Sequence, residues 1–235
     1  MNVRARAHAI AGGRGGNIRL VVPFAFEVAA RISARPLDEF FTNPTQLANG
    51  LSELHQAIAA DGILCADARG MELASAGTTG LDIEHIINNG RVGASLEACC
   101  RLRITLDNEG ILLAAVTGPA TLEKQFAVSG DTAVEAFVEI VRHFCEAGAD
   151  GIITVEQETP ADNECWEDGL ITARNIAVFY RAMIYLWDTE GPLPVPVRTQ
   201  LALPKNSGTG LIMTQEMVPA DYDIEALRQW VVESR

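Results

Sequence analysis

An α/β fold of repeated βα units, TIM-barrel-like and reduced to an incomplete barrel of about six strands, is what the sequence predicts. Two stretches carry most of that prediction. Asp61-Gly-Ile-Leu-Cys-Ala-Asp67 and Asp150-Gly-Ile-Ile-Thr-Val-Glu156 each follow an amphipathic run, open on Asp-Gly and lead through a short apolar run to a carboxylate. A continuous apolar run bounded by turn residues suits a strand covered on both faces, and its repetition argues for βα units. In such a barrel the C-terminal strand ends share one face, where the active site sits. Asp67 and Glu156 are therefore expected to look into one space. The third observation is length: 235 residues are enough for one barrel-sized domain with a full core.

Residues 1–18 place four glycines around Arg14 and predict a flexible or loosely held N-terminal segment, with residues 19–235 as the single domain. Arg19–Phe26 reads as the first strand, at an edge or a bulge because Pro23 interrupts it, with Glu27 at its end. Asn43-Pro44 supplies an N-cap and a first-turn proline, and Leu47, Leu51, Leu54 and Ile58 then share a helical face. Ile63–Ala66 is the next strand. Glycines break the pattern from Arg69 to Ser95, which predicts a long loop with a short helix near Ile83–Ile87, and loops of that length are commonly lids. A helix over Leu96–Leu106 leads to strand Ile111–Val116 and the turn Thr117-Gly-Pro-Ala-Thr-Leu122, whose backbone N–H groups could hold an anion. Asp131 is expected to cap a helix marked by Val134, Phe137, Ile140, Val141 and Phe144, with Gly148 at its end. After the second repeated strand come an acidic loop to Asp168 and a long helix over Ile171–Trp187. Strands near 193–203 and 210–214 and a helix capped by Asp223 complete the chain.

A net charge of −13 argues against a nucleic-acid partner, because phosphate binding needs clustered Lys and Arg. No apolar run approaches a bilayer's thickness and no signal-like segment opens the sequence, so no membrane partner and a cytoplasmic location are expected. Five cysteines in that setting read as reduced thiols.

Taken in order, several segments resemble the uroporphyrinogen decarboxylase superfamily, which includes corrinoid-linked methyltransferases. Asp61–Gly77 is similar to the strand and turn that carry the decarboxylase's catalytic Asp, which falls on Asp67. Leu113–Leu122 resembles the family's Gly-Pro-x-Thr-Leu turn, Glu146–Glu156 its Glu-Ala-Gly-Ala-Asp-Gly run, and Asp221–Glu225 the start of its last helix. The departures are specific. The substrate-gripping Arg-Gln-Ala-Gly-Arg is matched only by Glu27-Val-Ala-Ala-Arg31, the family Tyr falls on Gln125, and the His before the last helix on Glu216. No His-x-Cys in a matching context replaces the zinc ligands of the methyltransferases, since His143 and Cys145 fall within a helix.

The barrel reading sets Glu27, Asp67, Glu156 and Glu216 on one rim, with Arg31 and Arg69 as partial neutralisers. Such a ring needs a proton, a divalent cation such as Mg²⁺ or Mn²⁺, or a cationic substrate. The resemblance implies a decarboxylase or lyase acting on a small carboxylate other than uroporphyrinogen, with Asp67 and Glu216 catalytic, Arg31 as carboxylate anchor, and Glu27, Gln125, Glu156 and Arg69 contacting substrate. No resident cofactor is expected, a divalent metal aside. A methyltransferase-like protein serving a corrinoid protein or a methylated or cationic substrate is the second reading, and a non-catalytic binding homologue the third. The low strand count suggests completion in a homodimer.

Overall fold

The computed structural model describes residues 1–77, 80–188, 210–214 and 216–235, which alternate helices with parallel strands. Helix α1 (Val3–Ala11) is capped by the Asn2 side chain. Strand β1 is confined to Leu20–Val21, and helix α2 (Phe26–Ile32) takes over where the strand was expected to continue. Pro23 explains the shortening, since it cannot donate to a ladder. Helices α3 (Leu37–Thr42) and α4 (Pro44–Ile58) follow, the latter capped by Asn43 and buried along the expected stripe. Strand β2 (Gly62–Ala66) then leads to α5 (Met71–Ala76), α6 (Ile83–Asn88) and α7 (Gly90–Leu106). The long loop expected at 69–95 is thus mostly helical. Its glycines punctuate helices: Gly70, Gly77 and Gly90 have positive φ at the helix boundaries.

Strand β3 (Ile111–Thr117) is followed by α8 (Pro119–Phe126) and α9 (Gly130–Glu146), which Ser129 caps while Asp131 sits in the first turn. Strand β4 (Gly151–Glu156) is buried at every position except the half-buried Val155. Helix α10 (Asn163–Phe179) starts inside the expected acidic loop, because Asp162 caps it by accepting from the Glu164 and Cys165 amides. The helix expected to run to Trp187 stops at Phe179. Arg181 turns the chain at φ 59, and Met183–Asp188 form strand β5. The run Met-Ile-Tyr-Leu-Trp suits either state, and pairing with β4 decides it. Strand β6 (Leu211–Ile212) and helix α11 (Ile224–Ser234), capped by Asp223 as expected, end the chain. The strand expected at 193–203 lies outside the described residues.

The strands pair in parallel in the order β2-β3-β4-β5, and β1 pairs in parallel with β6. Asp61 joins the two sets, because its amide donates to the Val21 carbonyl and its Oδ2 accepts from the Val21 amide at 2.8 Å. Six parallel strands therefore run from β6 through β1 and β2 to β5, the topology of a partial TIM-barrel-like fold.

Structurally, the repeated Asp-Gly is a strand starter. Asp150 does for β3 what Asp61 does for β1: its Oδ2 accepts from the Leu112 amide at 3.0 Å. Each following glycine allows the neighbouring strand to approach. A Cβ on Gly62 would lie 2.5 Å from the Ile111 carbonyl oxygen, and one on Gly151 would lie 2.8 Å from Leu113 Cδ2. Both aspartates are only 2% exposed, and cations compensate them. Arg4 and Arg103 meet Asp150 at 2.8 and 2.6 Å, while Arg6 and Arg235 meet Asp61 at 3.3 and 3.4 Å.

The N-terminal segment, expected to be loosely held, therefore closes the floor of the sheet. Helix α1 buries Ala7 fully and sends Arg4 and Arg6 under the strands. Composition hid this, because the apolar face of α1 is mostly alanine and its partners lie far along the chain. Asp150→Ala would leave Arg103 and the Leu112 amide without their acceptor. We expect it to lower unfolding free energy by about 3–5 kcal/mol, the cost of breaking a buried charge pair. Urea titration showing a loss below about 1 kcal/mol would contradict this account.

Candidate functional site

At the C-terminal strand ends opens a cavity of about 350 Å³, within the size range of small-molecule sites. Its floor is apolar because Leu64 of β2, Ala115 of β3 and Ile153 and Val155 of β4 point inward. Phe24, Trp187, Met213 and Met217 form walls, and Glu27, Asp67, Arg69, Gln157 and Glu216 are the ionisable or amide side chains of the lining. Among the described residues three carboxylates thus face one guanidinium.

A register shift between Leu64 and Ala66 sets the approach to Asp67 at the end of β2, the local re-aiming that strand irregularities provide. Asp67 is 9% exposed. Its carboxylate is gripped by the residue two positions on: Arg69 Nε lies 3.1 Å from Oδ1, Nη2 lies 2.9 Å from Oδ2, and the Arg69 amide donates to Oδ1 at 3.1 Å. This is a bidentate pair closed over a tight turn. The guanidinium also stacks 4.7 Å from the Phe24 ring centroid and meets Met217 Sδ at 3.4 Å. Arg69 thus pairs with Asp67 and packs on the wall while its side chain stays half-exposed at the cavity edge. Glu27 lies in the first turn of α2 and accepts from the Ala220 amide at 3.1 Å. Glu216 lines the same space just beyond β6.

Glu156 does not share that space, and the expected common mouth is corrected on this point. Side chains alternate along a strand, so Ile153, Val155 and Gln157 face the cavity while Thr154 and Glu156 face the helices. The Glu156 carboxylate accepts from the Ala120 amide at 3.1 Å, the Thr121 amide at 3.0 Å, the Thr121 hydroxyl at 2.7 Å and Trp166 Nε1 at 2.8 Å. The turn expected to hold an anion thus holds one from its own chain, at the head of α8. Gly118 makes room for it, since a Cβ there would fall 2.3 Å from Glu156 Cδ. Burial raises the Glu156 pKa, and the four donors oppose that rise.

Two further expected contacts also lie elsewhere. Arg31 is exposed on α2 and donates to the Tyr222 carbonyl at 2.9 Å, outside the cavity lining. Gln125 lies on α8, its buried Oε1 without a hydrogen-bond partner among the described residues. Sequence reasoning missed Phe24, Gln157 and Trp187. The parity of Gln157 with Ile153 and Val155 was available, whereas Trp187 depended on recognising β5.

Among the described residues no His or Cys lines the cavity, and they contain no group of three or more His, Cys, Asp or Glu placed to hold a metal ion. His143 and Cys145 lie on α9, where His143 Nδ1 meets the Glu139 carbonyl and burial pushes the Cys145 thiol up to about 12. Desolvation, followed by Asp131, also raises the Cys165 pKa.

No family model matches the chain, and no curated protein matches it. Among solved structures, a methyltransferase from Methanosarcina mazei is similar, with 13% identity and a TM-score of 0.64 over 100% of this chain and 98% of that one. At that identity the likeness is one of fold, in agreement with the partial TIM-barrel-like arrangement of the strands. No helix among the described residues is long and apolar enough to cross a membrane.

The geometry around Glu156 makes a sharp prediction. Glu156→Gln would place an N–H against the amide, hydroxyl and indole donors that now meet the carboxylate. It should cost about 1–3 kcal/mol of stability and leave ligand binding in the cavity unchanged. A variant as stable as the parent in urea would show that the carboxylate is not held as described.

Proposed function

We propose that the protein binds a small cationic compound with an apolar body, such as a methylated amine, in this cavity. We further propose that it belongs among the methyltransferase-like relatives of the uroporphyrinogen decarboxylase superfamily. The observation that carries the reading is the composition of the lining among the described residues: an apolar floor beneath Glu27, Asp67 and Glu216, with Arg69, the one guanidinium among them, already paired with Asp67. A partly enclosed apolar pocket strengthens the attraction between a carboxylate and an ammonium group, and an aromatic wall such as Trp187 adds a face for the methyl groups. A substrate carboxylate would meet the opposite field. The likeness in fold to a methyltransferase supports the same reading over the decarboxylase, whose expected anchor, Arg31, lies outside the lining.

In this reading Glu216 and Glu27 hold the cationic head, and Asp67 with Arg69 forms a neutral, rigid corner of the pocket. The partner class implied by the resemblance is a corrinoid protein that accepts the methyl group. The residues lining the cavity do not suit the zinc site of the resembling enzymes, so no step is assigned to that metal.

Calorimetric titration with choline, with its neutral carbon isostere and with succinate tests the charge preference directly. Choline should bind about tenfold more tightly than the isostere, a difference near 1.4 kcal/mol, and succinate should bind least. Glu216→Gln should weaken choline about fivefold, roughly 1 kcal/mol, without affecting the isostere. Equal affinity for choline and the isostere, or tighter binding of succinate, would overturn the proposal.

A further inference from the structure

Behind the cavity wall, Glu72 on α5 is fully buried and fully engaged. Its Oε1 accepts from the Thr117 amide at 3.0 Å, and its Oε2 lies 2.6 Å from the Thr117 hydroxyl oxygen. The same hydroxyl oxygen lies 2.7 Å from the carbonyl oxygen of Ala68, between Asp67 and Arg69 in the turn that edges the cavity. Three oxygens are thus aligned with a single hydroxyl hydrogen between them. A hydroxyl donates once. If Thr117 donates to Ala68, the short contact to Glu72 needs a second hydrogen, and only the carboxyl can supply it. If Thr117 donates to Glu72 instead, two oxygens face each other at 2.7 Å with no hydrogen between them.

From this hydrogen count we propose that Glu72 is a positioning residue held as the neutral acid, and that its proton latches the Asp67–Arg69 turn through Thr117 and the Ala68 carbonyl. The chain of donors runs from the Glu72 carboxyl to the Thr117 hydroxyl and on to Ala68. Loss of the proton reverses the Thr117 hydroxyl towards the carboxylate. Ala68 keeps its bond from the Gly70 amide but faces a lone pair, so the turn must shift. Asp67, Ala68 and Arg69 all line the cavity, and the shift is therefore felt there.

The surroundings agree. Burial raises the Glu72 pKa from 4.5 to about 7, with the Thr117 bonds opposing and the charge of Asp67 adding to the rise. Among the elements packed on α5, β3 carries no charged residue. On α6, Glu84 is exposed and His85 half-buried. On α7, Arg91 is engaged by Asp38, Arg101 by Glu97 and Arg103 by Asp150. Among the described residues no cation is therefore paired with Glu72. The sign follows from linkage: a carboxyl neutral in the fold but ionised in the unfolded chain contributes stability in full below about pH 4.5. That contribution is lost as pH rises through about 7.

The test uses the ligand-free protein and does not depend on what the cavity binds. Nuclear magnetic resonance of the Arg69 amide and Nε–H should show a titration step near neutral pH in the wild type. That step should be absent in Glu72→Gln, whose amide reproduces the donor and acceptor of the neutral acid, and in Thr117→Val. Infrared difference spectra should show a buried carboxylic-acid C=O band that disappears over the same range and is missing from Glu72→Gln. The stability of Glu72→Gln should also lack the decline that the wild type shows between about pH 4.5 and 7. Absence of the acid band from the wild type would overturn the proposal without any variant having to fold. An Arg69 step that persists in Glu72→Gln would also overturn it.

Discussion

Strands β2 and β3 are buried throughout and β4 nearly so, so any charge placed among them must be compensated where it stands. The Asp61 and Asp150 carboxylates are the positions on which the rest depends. Each holds a backbone amide of the preceding strand in place, Val21 for Asp61 and Leu112 for Asp150. Each is made tolerable by arginines drawn from remote parts of the chain, including the first helix and the last residue. The order and register of the sheet, and so the position of its C-terminal rim, rest on these two contacts and on the glycines beside them.

Carboxylates recur in the interior, and each is handled by different physics. Asp150 is neutralised by cations. Glu156 is held by oriented dipoles and N–H groups at the head of α8 and by the Trp166 indole. Glu72 is bonded by the Thr117 amide and hydroxyl and is assigned a proton. Asp67 falls between these cases, since it is bound by an arginine that is itself half-exposed at the cavity edge. What remains at the mouth are Glu27, which retains one backbone donor, and Glu216. Among the described lining residues the positive charge of Arg69 is already paired with Asp67.

The cavity combines this field with an apolar floor set by strand parity. Inward positions of β2, β3 and β4 are aliphatic, and the polar groups sit on the segments that leave the strands. A rigid floor beneath a more adjustable rim is the arrangement in which loop and turn residues set specificity while the strands set position. The turn at Asp67–Arg69 is the part of the rim most tightly tied to the interior, through Thr117 and Glu72.

The sequence alone determined the local facts. The apolar runs after Asp-Gly, the Asn43-Pro44 helix start, the stripes of α4 and α9 and the cap at Asp223 are each encoded by a few adjacent residues, and they appear where the pattern places them. It also placed Glu27, Asp67 and Glu216 near one rim. Only the tertiary structure decided the side on which each strand-end carboxylate falls. Glu156 turned away because its parity opposes that of Val155 and because donors from α8 and Trp166 were waiting there. Pairing with β4 likewise made a strand of Met183–Asp188, and buried aspartates far along the chain gave the N-terminal helix its place. Local pattern fixes what a segment can be, whereas contacts between residues a hundred positions apart fix where its side chains find their partners.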